Sequence, residues 1–465
     1  MEQAIVIRSE IRKCMQEEGF TLGGFSKATE IRGSYLSLLL NHDPHKYPLP
    51  MRHFDSMIQA LDKPEGWLYE CYVDECFITG KTDRRRVEPF LLRCAELGKT
   101  ECIERVLSRL IENLNQLSLV FEIAEKVHAA GNQQGAVPLY ECVAEHEKHQ
   151  HSETLAISQY RLFRAALGQD LQKNRDAATR FLQFRNRLPV HFQLDGLLQL
   201  ANTYYTLSDW KRMGECADEL IVLAKVVYQE QNQRKTSKRE KTSLNTERHL
   251  VVYYGQGFLL KATEYEKQGF YEDSRKYIDG YSDLSWFKGL DIIGIEEMNK
   301  FKMFAVANSY MLDMLMGHNH KLTEYTHYLA SHPREVLFGL AIIVGTANKY
   351  GFSIDKTLEE LSEEISKFNE YDDIIALGRR LHFHYHLSLY YLDKGLSDQC
   401  IQNTLQSLNL SVTINNSSMF AQGVALFELC REQATEGQLN CYKKILEEVR
   451  VHERLNLCHL SNKFL

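Results

Sequence analysis

Apolar residues at the start of the chain recur at helical intervals. Four of them lie three or four residues apart and predict one buried stripe on a first helix, namely Ala4, Ile7, Ile11 and Met15. Gly19 ends this helix, and Thr21 is a typical N-cap for the next one. Two short helices and an amphipathic one at about 52–61 complete the pattern before Pro64. The sequence therefore predicts a compact bundle of four or five short helices over residues 1–66.

Pairs of amphipathic segments recur from about residue 70 onward. The best unit is QLANTYYTLSDWKRMGECADEL, residues 199–220, whose small and aromatic residues have the spacing of the tetratricopeptide pattern. Weaker units are in register with it and turn at Gly98, Gly131, Gly269 and Gly395. Such units bury their apolar faces only against their neighbours. We therefore expect roughly seven to nine helical hairpins over residues 67–430, and capping or dimerisation helices over residues 431–465.

The distribution of proline favours helices throughout. None of the 8 prolines lies between Pro189 and Pro333 or after Pro333, and strong β signals are missing. Proline breaks helix interiors because it lacks a donor and clashes with the preceding turn. The predicted fold class is all-α, with an N-terminal helix-turn-helix domain followed by a tetratricopeptide-like (TPR) helical-repeat superhelix.

Composition restricts the partners and the cellular compartment that we expect for the protein. The net charge of −7 argues against a surface that binds nucleic acid non-specifically, but leaves room for a local DNA-binding patch. The 11 cysteines are odd in number and form no CxxC pair, which indicates a reducing, cytoplasmic compartment. The longest apolar stretch, residues 337–347, is too short to span a bilayer, and the N-terminus has no signal-peptide pattern, so we expect no membrane contact.

Motifs of catalysis are missing from the sequence. There is no HExxH, no GxSxG, no GxGxxG that opens a helix and no intact phosphate loop. His382 and His386 would share a helical face, but no carboxylate or cysteine lies nearby in sequence to complete a metal site. We therefore expect a protein that is not an enzyme and needs no cofactor and no metal.

Residues 229–248, QEQNQRKTSKREKTSLNTER, interrupt the repeats. This segment is basic and has almost no large apolar residue. Such a run is typical of a solvated helix end or an inter-repeat loop. A contact with nucleic acid is the alternative.

The stretch GFTLGGFSKATEIRGSYLSLLLNHD, residues 19–43, fits a helix-turn-helix. In this interpretation Phe25 and Ala28 face inward, and a turn crosses residues 30–33 with Ile31 as its buried residue. In such motifs the second helix enters the major groove of DNA with its N-terminal side chains at the base edges.

The second helix begins at Ser34 in this interpretation, and the candidate DNA contacts lie on it and around it. They include side chains that could reach bases and cations that could neutralise phosphates. The candidate DNA-binding residues are Lys27, Arg32, Gly33, Ser34, Tyr35, Ser37, Asn41 and Lys46, and Arg52 is a further candidate phosphate contact. Glu30 departs from the motif because glycine is usual there. Residues 1–62 also hold 7 basic against 8 acidic residues, so a purely structural helical cap is the alternative.

A recurrent tetrapeptide marks the repeats: ANTY at 201–204, ANSY at 307–310 and ANKY at 347–350. In the first two the alanine fits a close-packed position, so that the asparagine projects towards the concave groove. An asparagine amide both donates and accepts, and can pair with the backbone of an extended peptide. The candidate peptide-binding residues are Asn202, Lys300, Asn308, His382 and His386. Exposed or capping asparagines and a solvated lysine are the alternative.

A family resemblance adds to this picture. YLSLLLNHD at 35–43, the helix through Met57 and Ile58, and WLYECYVDECFITGKTDRRRVEPFLLRCAEL at 67–97 resemble the RRNPP peptide-sensing regulators, and most closely the arbitrium receptors of Bacillus phages and their bacterial chromosomal relatives. The resemblance implies a cytoplasmic transcription factor that binds operator DNA through paired N-terminal domains.

In that family a short signalling peptide docks in the repeat groove and changes DNA binding, and Lys300 is similar to a basic groove residue. The resemblance also implies a homodimer formed through C-terminal repeats. Ile445, Val449, Leu455 and Leu460 are candidates for its seam, or equally for the cap of the last repeat. The rival function is a peptide-regulated TPR scaffold that binds a protein partner instead of DNA.

Overall fold

The computed structural model describes residues 2–80, 82–147, 152–168, 170–236, 246–371 and 373–461. All regular structure in these ranges is helical, and no strand occurs in them. The chain divides into two compact units, Met1–Arg248 and His249–Leu465. The predicted all-α class is thereby confirmed for the described residues.

The first unit begins with α1 (Glu2–Glu17) and four short helices, α2 (Leu22–Thr29), α3 (Gly33–Asn41), α4 (Met51–Ala60) and α5 (Tyr69–Glu75). Further helices follow, and successive ones pack in pairs: α6 (Arg84–Glu96), α7 (Thr100–Leu110), α8 (Leu117–Ala129), α9 (Gln133–His146), α10 (Glu153–Ala166), α11 (Leu171–Leu182), α12 (Val190–Thr206) and α13 (Trp210–Thr236).

The second unit continues the helical pairs. Its helices are α14 (Leu250–Lys267), α15 (Tyr271–Ser282), α16 (Ile292–Leu315), α17 (Leu322–Ala330), α18 (Val336–Tyr350), α19 (Asp355–Glu360), α20 (Ser362–Ser366), α21 (Ile374–Asp393), α22 (Ser397–Thr413), α23 (Ser417–Cys430) and α24 (Glu436–Ser461). Within it, α14 packs on α15, α18 on α21, and α22 on α23 and α24.

The turns between paired helices lie where glycine predicts them. Gly98, Gly131, Gly269 and Gly395 each follow a helix and have φ values of 66°, 86°, 81° and 72°. Glycine adopts this left-handed region without the steric cost that a Cβ brings. The best repeat unit instead turns at Ser208, with φ 54°.

The helical stripe of α1 is confirmed at Ile7, Ile11 and Met15, while the side chain of Ala4 lies outside the described residues, and one inward-facing residue of α2 is corrected. Ile7 and Ile11 are fully buried, as are Phe25 on α2 and Ile31 after it. Ala28, however, is exposed, so its predicted inward position is wrong. Thr29 is the buried residue, because it lies one turn after Phe25 on the same face, and its hydroxyl donates to the Phe25 carbonyl at 2.7 Å.

A buried ion pair joins α1 to α5. The Arg8 guanidinium donates to both carboxylate oxygens of Glu75, at 2.9 and 2.8 Å, and the two side chains are only 3% and 0% exposed. Arg8 also donates to the carbonyls of Leu39 at 2.9 Å and Tyr47 at 3.1 Å, and Glu75 accepts from the Leu49 backbone N–H. This network holds α1, α3, α5 and the chain between α3 and α4 in one arrangement.

The core does not break at the predicted domain boundary. One apolar cluster runs from Ile7 on α1 to Leu162 on α10, and Phe54 on α4 stacks on Tyr72 of α5 with ring centroids 5.1 Å apart. The division after residue 66 stays a prediction about function, because packing continues from the short helices into the first helical pairs.

Ile445, the first of the four candidate seam residues, packs the last helix, α24, against its neighbours. Ile445 is 4% exposed and lies in a cluster with Phe427, while the Phe427 and Tyr442 rings stack at 3.9 Å. The Leu455 and Leu460 side chains lie outside the described residues, as does the 237–245 part of the basic segment.

We expect Glu75→Gln to destabilise the first unit by about 3–5 kcal/mol, because it leaves the Arg8 charge buried without its partner. Urea denaturation followed by circular dichroism measures the change. Glu122→Gln is the matched control, because Glu122 and Arg84 form an ion pair in which both side chains are 51% exposed, and such pairs contribute about 0–1 kcal/mol. Equal losses in the two variants would contradict the central role of the Arg8–Glu75 pair.

We expect Gly280→Ala to destabilise the second unit by about 1–3 kcal/mol. A Cβ at Gly280 on α15 would lie 2.1 Å from the Phe258 ring on α14, so the two helices would have to separate. Gly378→Ala on α21 is the control, since no heavy atom lies within 4 Å of its Cβ position, and alanine there should stabilise the helix by up to about 1 kcal/mol. Thermal melts of the two variants should therefore shift in opposite directions.

Candidate functional site

Helix α3 buries one face and exposes the other. Leu36, Leu39 and Leu40 are at most 2% exposed, whereas Ser34 and Asn41 lie on the exposed side of the helix. This separation follows from the three- and four-residue spacing of its leucines. The exposed side therefore consists of the residues that the sequence assigned to DNA.

Two arginines hold the C-terminal end of α3. Arg8 donates to the Leu39 carbonyl at 2.9 Å, and Arg12 donates to the Leu40 carbonyl at 2.6 Å. The last carbonyls of a helix lack intrahelical partners, and cations there also complement the helix dipole. The opposite end has no side-chain cap: Arg32 occupies the N-cap position without such a hydrogen bond. The N-terminal amides of α3 are thus left for solvent or a ligand.

The turn before α3 is fixed from within. The Ser26 hydroxyl donates to the Ile31 carbonyl at 2.6 Å, and Ile31 is 2% exposed. Glu30 has φ 56°, the left-handed conformation for which glycine is usual. The structure therefore realises the turn despite the unfavourable residue, and leaves the Glu30 carboxylate on the surface.

The predicted DNA contacts differ in their exposure. Six of them are exposed, namely Lys27, Arg32, Ser34, Tyr35, Asn41 and Lys46, while Gly33 and Ser37 are half-buried. Tyr35 is 37% exposed, and its ring meets the edge of the His53 ring at 5.6 Å. All of these residues lie on α2, on α3 or in the segments that flank α3.

His53 is a neighbour of this surface that sequence reasoning missed. Burial and the Arg52 guanidinium lower the pKa of His53, so its ring stays neutral near pH 7. No local signal marks His53, because its contact with Tyr35 spans two helices.

The asparagines of the recurrent tetrapeptide have different surroundings. Ala201 and Ala307 are 0% and 5% exposed, as the close-packed position requires, and Asn202 is exposed. Asn308 is half-buried and donates to the Tyr281 hydroxyl at 2.8 Å, which links α16 to α15. The donor of Asn308 thus serves the packing of its own unit.

Lys300 lies on the exposed surface of α16. Its ammonium pairs with Glu297 at 2.6 Å on the same helix, and its side chain is 51% exposed. This is the solvated arrangement that the sequence left open as the alternative, and a ligand carboxylate would have to compete with Glu297.

His382 and His386 lie together on α21. Their rings are nearly parallel, with centroids 6.3 Å apart. The Asn348 side chain of α18 donates to the His386 carbonyl at 2.7 Å, and its Oδ1 is buried with no hydrogen-bond partner among the described residues. The structure thus brings Asn348, of the third tetrapeptide, to the backbone of His386.

The surroundings of both imidazoles favour the neutral form. Burial lowers the pKa of His382 and of His386, and the charges of Lys267 and of the neighbouring His382 add to the effect. The side chain of His382 is nevertheless exposed, whereas that of His386 is half-buried. In the described ranges no group of three or more His, Cys, Asp and Glu side chains could hold a metal ion.

The five predicted peptide contacts are divided between the units. Asn202 belongs to the first unit, and Lys300, Asn308, His382 and His386 belong to the second.

Among the helices of the described residues, none is long and apolar enough to cross a membrane.

Comparisons with known proteins give little support to any assignment. No protein-family model matches the chain, and no curated protein matches it. Among solved structures, the chain is similar to a protein described as "Circular tandem repeat protein with novel repeat topology and enhanced subunit contact surfaces", with 11% identity over 96% of this chain and 90% of that chain. The TM-score is 0.15, so this likeness carries no argument about the fold.

Proposed function

We propose that the protein is a cytoplasmic, DNA-binding transcription regulator whose helical repeats bind a short signalling peptide. The observation that carries the proposal is the setting of α3. Its C-terminal end is held by Arg8 and Arg12, its apolar face is buried, and its polar face and N-terminal end are exposed.

Residues on the exposed face of α3 have the chemistry needed to read DNA. Arginine donates in pairs to guanine, and serine donates or accepts at any base, so Arg32 and Ser34 are the proposed base contacts. Lys27, Lys46 and Arg52 surround the helix and are the proposed phosphate contacts. A homodimer would present two such helices to paired half-sites.

Homodimerisation is proposed through the last helices. Leu429 on α23 and Leu446 on α24 are 69% and 38% exposed, and large apolar side chains of this kind favour burial against another chain. Ile445 is buried within its own unit and is not part of this contact.

The proposed ligand is an extended peptide. Asn202 is exposed on α12 and offers both a donor and an acceptor to a peptide backbone. A peptide that binds one conformation more tightly than another shifts the equilibrium by its differential affinity, and the geometry of the DNA-binding helices follows.

A TPR scaffold that binds a protein partner is the second candidate. It is favoured by Leu22 and Tyr35, which are 38% and 37% exposed on α2 and α3, and by the exposed acid Glu30 between them. Exposed apolar and acidic side chains suit a protein surface better than a phosphate backbone.

We expect Arg32→Ala/Ser34→Ala to weaken operator binding at least tenfold, because each base contact contributes about 1–3 kcal/mol. Genomic footprinting of the wild-type protein supplies the operator fragment, and fluorescence anisotropy measures affinity. Lys27→Ala/Lys46→Ala should instead weaken binding to all sequences. The slope of log K against log salt should fall by about 1 for each lysine that neutralises a phosphate in the wild-type complex.

Lys173→Ala is the control for both variants, since Lys173 is an exposed lysine on α11, outside the proposed interface. Operator binding that survives in the Arg32/Ser34 variant, or a wild-type protein that enriches no genomic site, would favour the scaffold.

We expect Asn202→Ala to weaken peptide binding about tenfold without changing the thermal midpoint, because the substitution removes an exposed side chain together with its hydrogen bonds to the ligand. Peptides retained by the wild-type protein from a random hexapeptide pool are resynthesised and titrated by calorimetry. Asn186→Ala removes another exposed asparagine of the same unit and should leave affinity unchanged. Equal affinities of the wild-type and Asn202→Ala proteins would remove Asn202 from the site.

A further inference from the structure

One wall of the second unit concentrates groups that are cationic or can become so. On α21, Arg379, His382 and His386 follow at intervals of three and four residues and so share one face. The Arg379 guanidinium lies 4.8 Å from the centre of the Phe338 ring on α18. Further along the same two helices, the His386 ring lies beside Gly345, whose Cβ position is 3.6 Å from the ring.

The backbone beneath this wall is fixed. Asn348 on α18 donates to the carbonyl of His386 at 2.7 Å, so the two helices are joined at the level of that histidine. Gly345 leaves the neighbouring surface of the ring free of a side chain. The backbone at His386 therefore has a defined position before any ligand arrives.

The charged groups that shift the pKa values of the two imidazoles are positive. The pKa of His382 is lowered by burial and by Lys267 at the end of α14, and that of His386 by burial and by His382. No carboxylate is among these causes, although Lys267 itself pairs with Glu266 at 3.0 Å. The other acidic and basic side chains on α21 and on the helices packed against it are Arg380, His384 and Asp393 on α21, Asp373 at its N-cap, Glu335 and Lys349 at the ends of α18, and Asp398 on α22; tyrosines and Cys400 are the remaining titratable groups there.

We propose that the wall formed by Arg379, His382 and His386 within the second unit binds a carboxylate of a short peptide. This inference rests on the peptide-binding function proposed above and adds the chemical class of the ligand. A carboxylate accepts charge-assisted hydrogen bonds from guanidinium and imidazolium, which are about twice as strong as neutral ones. The carboxylate belongs either to the peptide C-terminus or to an Asp or Glu side chain.

Binding of this kind takes up protons. Each imidazole is neutral near pH 7 and becomes a double donor when protonated, and a bound carboxylate favours the protonated form. Peptide carboxylates stay ionised down to about pH 5. Affinity should therefore rise as the pH falls from 7.5 to 6.0.

The test uses the full-length protein and three pools of N-acetylated random hexapeptides. The first pool has free C-terminal carboxylates, the second is amidated, and the third is amidated and made without Asp and Glu. Peptides retained at pH 6.0 and pH 7.5 are identified by mass spectrometry, and the strongest are titrated against His382→Gln and His382→Gln/His386→Gln. His327→Gln is the control, because its side chain is 66% exposed on α17.

Preferential retention of the first pool supports a site for the C-terminal carboxylate, and Asp or Glu enrichment from the second pool supports one for a side chain. In either case His382→Gln should weaken binding about tenfold at pH 6.0 and reduce the pH dependence, while His327→Gln does neither. His382 is exposed, so its single variant tests the site even if the double variant fails to fold.

Two results overturn the inference in different ways. Equal retention from all three pools, with affinities that neither pH nor the His382 variant changes, would show peptide binding without carboxylate recognition at this wall. No retained peptide from any pool would contradict the proposed peptide-binding function itself, and the inference with it.

Discussion

The arrangement of the N-terminal helices depends on the buried pair of Arg8 and Glu75. Removing two charges from water is costly, so such a pair persists only when all of its polar atoms find partners. Here Glu75 accepts from Arg8 and from the Leu49 backbone, while Arg8 also donates to the Leu39 and Tyr47 carbonyls. A shift of any one helix would leave a buried charge or carbonyl unsatisfied. The pair therefore fixes the orientation of α3 relative to the helices that begin the repeats.

The sequence could predict what depends on local periodicity and local stereochemistry. The stripe through Ile7 and Ile11 and the turns at Gly98 and Gly131 follow from spacing and from the left-handed freedom of glycine. The Arg8–Glu75 pair could not be predicted, because its partners lie 67 residues apart and nothing local distinguishes them from surface charges. Ala28 and Thr29 show the limit of periodicity itself: adjacent positions are both compatible with an inward face, and only the orientation of α2 in the structure shows that Thr29 is the buried one.

The candidate sites show the same division. The exposed face of α3 follows from its leucine pattern, so the residues assigned to it were available from sequence. The environment of Asn308 was not, because its donor is used by Tyr281, 27 residues away on another helix. Asn348 reaches the backbone of His386 across 38 residues, and only the packing of α18 on α21 shows that the third tetrapeptide and the histidine pair belong together.

Charge determines how strongly such a protein would be attracted to DNA and how its binding would depend on salt. A net charge of −7 provides no general attraction to the phosphate backbone. Three cations near α3, Lys27, Lys46 and Arg52, would give one copy a salt dependence with a slope of roughly −3. Two copies on paired half-sites would double that slope and most of the binding free energy. Under the proposed function, a ligand that changed the spacing of the two α3 helices would therefore act on the larger part of the affinity, without touching any DNA contact itself.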